Sequence, residues 1–218
     1  EFFVSYAKAY RDQFDFKSLG EYFSYTRSVG LITLNGETVK SLEELELANF
    51  FYANGVNYLY ESDYEHPVAN IKRRQYKPDF FLPDYGIYIE HFAIDINGKT
   101  PPFINENDYL ESRKWKVLTH QQYSTTLIQT FSHEKRSGTL TSNLKRNLEQ
   151  LGVNFSPLPK DLLLDKLNSS GYISELGILL GTFLNLFKGS LLSIGELSSR
   201  LPETEADSVR AKKFIEIF

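Results

Sequence analysis

Apolar residues recur along the chain with two different spacings, and their alternation predicts a mixed α/β fold. Helical spacing predicts helices over residues 41–54, 107–122 and 140–151. Aromatic and Ile-rich runs predict strands over residues 56–64, 76–82, 87–94 and 125–131, with a shorter strand over 31–40. This order favours a mixed β-sheet flanked by helices, with additional helices at both ends of the chain.

Turn and capping residues set the expected boundaries of these elements. Residues 83–86 read Pro-Asp-Tyr-Gly, so the two runs around them are expected to form a β-hairpin. Ser41 and Glu44 form a capping-box pattern at the start of a helix. Gly20 is expected to separate two helices within the first 27 residues. Beyond Pro159 we expect a short helix, a long apolar one over 173–187 and a charged one from 203 onwards.

Composition and charge narrow the possible functions. The 218 residues are 41% hydrophobic and 15% aromatic, enough for one domain with a core and a helical appendage. The 24 basic and 28 acidic residues give a net charge of −4, so any contact with DNA must be local. Zero cysteines exclude disulfides, thiolate zinc sites and a cysteine nucleophile, and agree with a reducing compartment.

The sequence gives no indication of a membrane partner. No charged, apolar and small-residue leader opens the chain, which argues against a signal peptide. The longest apolar stretch, residues 176–187, is interrupted by Thr182 and Asn185 and is too short to span a bilayer. We therefore expect a soluble, cytoplasmic protein.

Two carboxylates flank the expected hairpin turn at equal distances. In a regular hairpin Asp79 and Glu90 would lie opposite each other on neighbouring strands. Such like charges are tolerated when they hold a cation or when one group is protonated, and Mg²⁺ prefers oxygen ligands of this kind. The alternative is that the strands are offset and both carboxylates face solvent.

The residues around this pair resemble the PD-(D/E)xK nuclease motif. Residues 77–83 read Lys-Pro-Asp-Phe-Phe-Leu-Pro and residues 88–91 read Tyr-Ile-Glu-His, as in a hairpin that carries both acids. The resemblance implies that Asp79 and Glu90 bind Mg²⁺ and that Glu44 is the family's upstream acid. Glu44 is equally well explained as a helix cap.

This sequence departs from the motif at its last position. Phe92 stands where the family carries the lysine that orients the attacking water. Lys116 could replace that lysine from the following helix, and His91 or His120 could act on water or the leaving group. Each of these side chains taken alone is also explained as a structural or solvated residue.

A longer resemblance covers residues 35–155. Six blocks, at residues 39–44, 54–61, 76–80, 88–92, 115–120 and 126–132, resemble in order the insertion of helicase IV-like members of the UvrD/Rep DNA helicases. The resemblance implies a restriction-endonuclease-like insertion over 35–157, between helical helicase segments over 1–34 and 158–218. Gln129 stands where the family tends to carry Glu, which weakens any metal-binding role for that position.

The motor of such a helicase would lie outside this chain. The phosphate-binding pattern Gly-x-x-x-x-Gly-Lys-Ser/Thr does not occur in the sequence, so ATP would be bound only by the full-length helicase. The resemblance therefore implies that the remaining helicase domains of the same chain are partners of this segment.

Basic residues are clustered near the candidate site in sequence. They are candidates for contacts with the phosphates of single-stranded or forked DNA, although each alone is usually part of a solvated face: Lys72, Arg73, Arg74, Lys77, Arg113, Lys114, Lys135 and Arg136. Tyr76, Tyr109 or Trp115 could stack on bases.

Three functions remain open at this point. The preferred interpretation is a DNA-interacting insertion domain with a nuclease-like fold that binds DNA beside the helicase motor. The alternative is an active Mg²⁺-dependent nuclease that cleaves phosphodiester bonds. A glycosidase using the same two acids fits the spacing alone, but the basic neighbourhood argues against it.

Overall fold

A four-stranded mixed sheet organises the chain. The computed structural model describes residues 11–169, 171–201, 211–212 and 215. The strands lie side by side in the order of the sequence: β1 (Leu59–Tyr60), β2 (Phe80–Leu82), β3 (Ile87–Phe92) and β4 (Thr126–Phe131). The first three are antiparallel and β4 is parallel to β3. The expected α/β class with a mixed sheet and flanking helices is confirmed.

Eight α-helices and one 3-10 turn (Gln13–Asp15) surround or follow the sheet in the described residues. The helices are α1 (Leu19–Val29), α2 (Leu42–Ala53), α3 (Glu106–Gln122), α4 (Ser132–Arg136), α5 (Leu140–Gln150), α6 (Lys160–Ser169), α7 (Tyr172–Ser190) and α8 (Ile194–Ser199). Among these described residues, no helix is long and apolar enough to cross a membrane. Most of the charged helix expected from residue 203 lies outside the described residues.

The hairpin is formed as its sequence indicates. Phe80 pairs with Ile89 and Leu82 pairs with Ile87, and the turn between them contains Gly86 at φ +65°. The chain then runs from β3 through α3 to β4. Parallel strands need such a long crossover connection between them. β2 begins at residue 80 rather than 76, since the residues before it form a separate arm that is described below.

The two faces of the sheet bury different kinds of side chain. Ile87 and Ile89 point to one face and pack there with Phe80, Leu82 and Ile128 against α2 and α5. The intervening Tyr88 points to the other face, where it packs with Tyr64, Tyr76 and the ring of Trp115. Because side chains alternate along a strand, this second face also receives Glu90, the candidate site residue.

Helix α2 links the sheet to both flanking segments. Ser41 Oγ accepts the N–H of Glu44 at 3.1 Å and caps the helix, as the capping pattern predicts. Near its other end, Asn49 Oδ1 accepts the N–H of Leu34 at 2.7 Å, and the Ala53 carbonyl accepts the N–H of Leu158 at 2.9 Å. Segments from well before and well after the sheet therefore meet on one helix.

The chain that returns to α2 approaches it closely at Gly55. This residue has φ +65°, and a Cβ there would lie 2.3 Å from the carbonyl oxygen of Ser156, so a larger residue is excluded. Asn35 and Leu158 both line a pocket of roughly 300 Å³ beside it. Residues 35 and 158 thus border the same cavity.

Two expectations for the N-terminal part of the chain were wrong in detail. Gly20 does not separate two helices but lies in the first turn of α1, because Ser18 caps that helix by accepting the N–H of Glu21 at 3.2 Å. Residues 1–10 of the expected helical hairpin lie outside the described residues. The short strand over 31–40 is only an isolated bridge between Ile32 and Thr38.

The strand expected over 56–64 is reduced to two residues, Leu59 and Tyr60. Glu61 ends it by adopting φ +47°, a left-handed conformation that interrupts the pleat. The short helix α4, which follows β4 directly, was not expected from the sequence.

The core between α2, α5 and the sheet predicts a stability difference between two leucines. Leu144 on α5 is fully buried, whereas Leu118 on α3 is half exposed. We expect Leu144→Ala to lower the free energy of unfolding by about 2–5 kcal/mol, because it leaves a cavity. Leu118→Ala should change it by less than about 0.5 kcal/mol. Urea unfolding followed through the single Trp115 measures both, and equal losses would contradict this description of the core.

Candidate functional site

Glu90 of β3 is the centre of the candidate site. Its side chain has no exposed surface, and both carboxylate oxygens have partners. Tyr76 donates its hydroxyl to Oε1 at 2.7 Å, and the ammonium of Lys116 on α3 contacts Oε2. A residue from before β2 and a residue from the crossover helix thus converge on one carboxylate.

Asp79 lies immediately before β2. The register that pairs Phe80 with Ile89 places Asp79 opposite Glu90 when it is continued by one position. Asp79 Oδ2 accepts the backbone N–H of His91 at 2.7 Å, which holds the carboxylate at the sheet. Burial, and secondly the charge of Asp79, raise the pKa of Glu90 to about 8, although Lys116 opposes both effects.

Glu44 faces the same group of charges from the first turn of α2. Its Oε2 accepts the hydroxyl of Tyr60 at 2.6 Å and the N–H of Lys40 at 2.9 Å. Burial, and secondly the charge of Asp79, raise its pKa to about 7. Glu44 is therefore both part of a helix cap and an electrostatic neighbour of Asp79, so the two interpretations of this residue are compatible.

Lys116 supplies positive charge to this acidic group. Burial alone would lower the pKa of its ammonium, but Glu90 and then Asp79 outweigh burial and raise it. The side chain is charged and directed at Glu90 from α3. Lys116 thus reaches the carboxylate of the hairpin strand from the next helix.

The two histidines differ in their relation to the site. His120 is buried behind Tyr76, with Nε2 3.1 Å from the tyrosine hydroxyl and Nδ1 2.7 Å from Thr125 Oγ1. Burial, and secondly Lys116, lower its pKa to about 4, so the ring is neutral near pH 7. His120 reaches Glu90 only through Tyr76.

The imidazole of His91 is engaged away from Glu90. Nδ1 lies 2.9 Å from Thr130 Oγ1 and Nε2 lies 3.3 Å from Ser132 Oγ. Burial lowers the pKa of His91 to about 3. The contact of this residue with Asp79 is made by its backbone N–H.

Six of the eight basic candidates belong to two segments near the site. Lys72, Arg74, Lys77 and Lys114 are exposed. The guanidinium of Arg73 lies 4.5 Å from the centre of the Trp115 ring, and this stack joins the segment before β2 to helix α3. Lys77 also lies 3.5 Å from Asp63, but both side chains remain more than half exposed.

Arg113, on α3, is held against the sheet. Its Nε donates to Gln129 Oε1 at 3.0 Å, and its guanidinium lies over the rings of Phe92 and Phe131. Gln129 therefore has a structural partner on α3.

Lys135 and Arg136 have partners in a second polar cluster. Lys135 Nζ lies 2.7 Å from Glu46 Oε2, and Arg136 binds the carboxylate of Asp12 through Nε at 2.8 Å. Gln13 Nε2 donates to Glu43 Oε1 at 3.1 Å in the same region. These ion pairs tie the 3-10 turn to α2 and α4, and the structure does not bring Lys135 or Arg136 to the Glu90 group.

Sequence reasoning missed the part played by two hydroxyl groups. Tyr76 was considered for base stacking, but it is buried and bonded to Glu90. Tyr60, which bonds Glu44, was not singled out at all. Tyr109 is likewise engaged, since its hydroxyl accepts the N–H of Ala93 at 2.8 Å. The feature of the sequence that could have pointed to Tyr76 was its position three residues before Asp79.

Comparison of the chain with family models, with curated proteins and with solved structures found no match in any of the three. The contacts and charges around Glu90 are therefore the basis for assigning a function to this site. In the described part of the chain, no group of three or more His, Asp or Glu side chains is arranged to hold a metal ion. Asp79 and Glu90 are the carboxylates that would hold Mg²⁺ together with water and substrate phosphates, but both oxygens of Glu90 and Oδ2 of Asp79 already have protein partners.

The raised pKa of Glu44 predicts how stability changes with pH. A carboxyl whose pKa is raised by folding stabilises the fold only below its unfolded pKa, and this contribution is lost as pH rises through about 7. Glu44→Gln cannot ionise, so it should match wild type near pH 4.5 and exceed it by up to about 3 kcal/mol above pH 7.5. Denaturation at several pH values, followed through Trp115, measures the difference.

The control for this prediction is Glu149→Gln, which removes a carboxylate from the exposed side of α5 and so measures the effect of losing one surface charge. A constant difference between wild type and Glu44→Gln from pH 4.5 to 8 would show that Glu44 is not electrostatically disfavoured.

Proposed function

We propose that this chain binds DNA as a nuclease-like insertion domain of a longer UvrD/Rep-type helicase, beside the helicase motor. The observation that carries the proposal is the stack of Arg73 on Trp115. It brings the basic segment 72–77 against helix α3, next to the pair formed by Glu90 and Lys116. The contact thereby brings basic residues of two segments together on a chain whose net charge is negative.

The exposed cations of this surface suit phosphate binding. Within the described part of the chain, Lys72, Arg74 and Lys114 form no ion pair and are open to solvent, so they can replace counterions on a DNA backbone. Their contribution does not depend on base sequence. We therefore expect binding that is weak, general and strongly dependent on salt.

The order of the elements supports the proposed architecture. Helix α2 with Glu44, three antiparallel strands, helix α3 and the parallel strand β4 follow each other as the resemblance implies for a restriction-endonuclease-like core. The position of Asp79 immediately before β2, opposite Glu90 on β3, and the contact of Lys116 with Glu90 support a nuclease-like arrangement. ATP hydrolysis would be the task of the remaining helicase domains of the same chain.

DNA binding can be tested by fluorescence anisotropy with labelled single-stranded, duplex and forked DNA. Affinity should fall steeply between 50 and 200 mM salt, because phosphate contacts release counterions. Arg74→Ala should weaken binding and reduce the slope of log affinity against log salt by about one. Lys145→Ala, on the exposed side of α5, is the matched control and should leave both unchanged.

Absence of binding at 50 mM salt, or affinity that does not change with salt, would contradict the proposed function. An equal effect of Arg74→Ala and Lys145→Ala would show that binding does not use the surface formed by residues 72–77 and α3.

A second function is supported by one observation, the contact between Lys116 and Glu90. An ammonium beside Glu90 supports this alternative, although Phe92 occupies the position of the motif's lysine. In a Mg²⁺-dependent nuclease, Asp79 and Glu90 would hold the ion, which lowers the pKa of bound water and stabilises the phosphoryl charge. Lys116 would orient the attacking water or offset charge on the phosphate.

Binding without cleavage is the outcome we expect. Both oxygens of Glu90 already have partners, and the lysine of the motif is absent from β3. Wild type incubated with single-stranded DNA and Mg²⁺ or Mn²⁺ should give no product on a denaturing gel. Asp79→Asn should bind DNA as tightly as wild type or slightly more tightly, because one negative charge has been removed.

The nuclease alternative makes the opposite prediction. Metal-dependent cleavage by wild type that disappears in Asp79→Asn, with DNA binding retained, would establish it. Lys116→Ala should then also abolish cleavage. Because Lys116 is an internal partner of Glu90, Lys116→Arg and a circular-dichroism spectrum would distinguish loss of chemistry from loss of fold.

A further inference from the structure

The residues between β1 and β2 form an arm, defined here as residues 64–76. Its two sides are antiparallel: the N–H of Tyr64 donates to the carbonyl of Tyr76 at 2.9 Å, and Asn70 and Arg73 form a bridge. Gln75 joins the two sides, since its Nε2 donates to the carbonyls of Tyr64 and His66 at 2.8 and 2.9 Å. These bonds fix the shape of the arm independently of the sheet.

The base of the arm is immobilised by aromatic packing. Tyr64 and Tyr76 are buried with Tyr88, and the ring of His66 stacks on Tyr123 with centroids 4.2 Å apart. Tyr76 also holds Glu90 through its hydroxyl. The arm is thus anchored next to the candidate site, and its tip projects from a rigid base.

The tip presents an apolar side chain among cations. Ile71 is completely exposed, at 106% of its reference area, within a tight turn that Asn70 closes by accepting the N–H groups of Lys72 and Arg73. Single exposed apolar residues are common, but three successive basic residues follow this one, and Glu65 is the one acid in the arm. A lone apolar group within a positive tip has the composition of a side chain that enters a DNA groove.

We propose that the arm grips the duplex part of a forked DNA and that Ile71 inserts from the minor groove between two base pairs. This inference rests on the proposed DNA binding. It specifies forked DNA as the partner and Ile71 as a residue that contacts the bases. Lys72 and Arg74 bind the phosphates on either side of the groove, while Ile71 partly unstacks one base step.

The rigid base of the arm allows Ile71 to insert between base pairs. An inserted side chain opposes base stacking, and a mobile loop would be displaced before it unstacked a step. The bonds of Gln75 and the aromatic packing at Tyr64 hold the tip in one position, so phosphate binding by the flanking cations is coupled to insertion. Lys116 and Glu90 lie at the base of the arm, where Tyr76 bonds Glu90.

The test uses the whole chain and a forked DNA with a 20-base-pair duplex that carries a donor dye and an acceptor dye at its two ends. Insertion kinks a duplex by roughly 20–90°. Wild type should therefore raise energy transfer between the dyes. Ile71→Ser should abolish this rise and weaken binding about tenfold, with an unchanged salt slope, because an apolar contact and no charge has been lost. Ile71→Leu should retain bending.

Two further variants separate insertion from charge. Lys72→Ala should reduce the salt slope by about one but retain bending at low salt. Ile96→Ser is the matched control, because Ile96 is also highly exposed, at 82%, but follows Asp95 instead of preceding basic residues. It should behave as wild type in both measurements.

The outcomes distinguish this inference from the function on which it rests. Salt-dependent binding without bending, or bending that persists in Ile71→Ser, overturns the insertion and leaves DNA binding in place. No binding to any DNA overturns both. Binding to vesicles of phosphatidylserine that requires Ile71, without DNA bending, would assign the tip to a lipid surface and also overturns the inference.

Discussion

The buried carboxylate of Glu90 is the constraint on which this part of the structure depends. A carboxylate without solvent is costly unless it is neutralised and hydrogen-bonded, and Glu90 meets that requirement through Lys116 and Tyr76. Lys116 comes from α3 and Tyr76 from the arm. One buried charge therefore determines where the crossover helix and the arm lie relative to β3. Asp79 makes these partners more necessary, because its negative charge disfavours the ionised form of Glu90.

Two neighbouring glutamates on α2 face different parts of the structure, one a structural ion-pair cluster and the other the candidate site. Glu43 points into the polar cluster with Gln13 and Lys135, whereas Glu44 points to Tyr60 and Asp79. Successive helical residues are turned about 100° from each other, so only one of the two can face the sheet edge. The capping pattern identified Glu44 but gave no direction for its side chain. That direction depends on where the sheet packs, which is a tertiary property.

The sequence predicted those elements whose local residue preferences match the conformation that tertiary packing requires. The hairpin, the start of α2 and the strand β4 were predicted from turn residues, a cap and aromatic periodicity, and the pairing of Asp79 with Glu90 follows from the turn. β1 was overestimated because Glu61 takes a left-handed conformation that its residue type does not indicate. The arm was not expected, since its order comes from the side chain of Gln75 and from tyrosines distant in sequence. The two polar partners of Glu90 are 14 and 26 residues away, beyond any local pattern.

The meeting of two distant segments on α2 has a consequence for how such a unit can evolve. Leu34 is bonded to Asn49, Leu158 is bonded to Ala53, and Asn35 and Leu158 line the same pocket. The two ends of the segment that carries the sheet, the arm and the Glu90 group are thus held by one helix. A segment whose ends lie close together can be exchanged between folds more easily than one whose ends are far apart. In this chain such an exchange would also break the ion pair between Asp12 and Arg136, because the 3-10 turn binds α4 independently of α2.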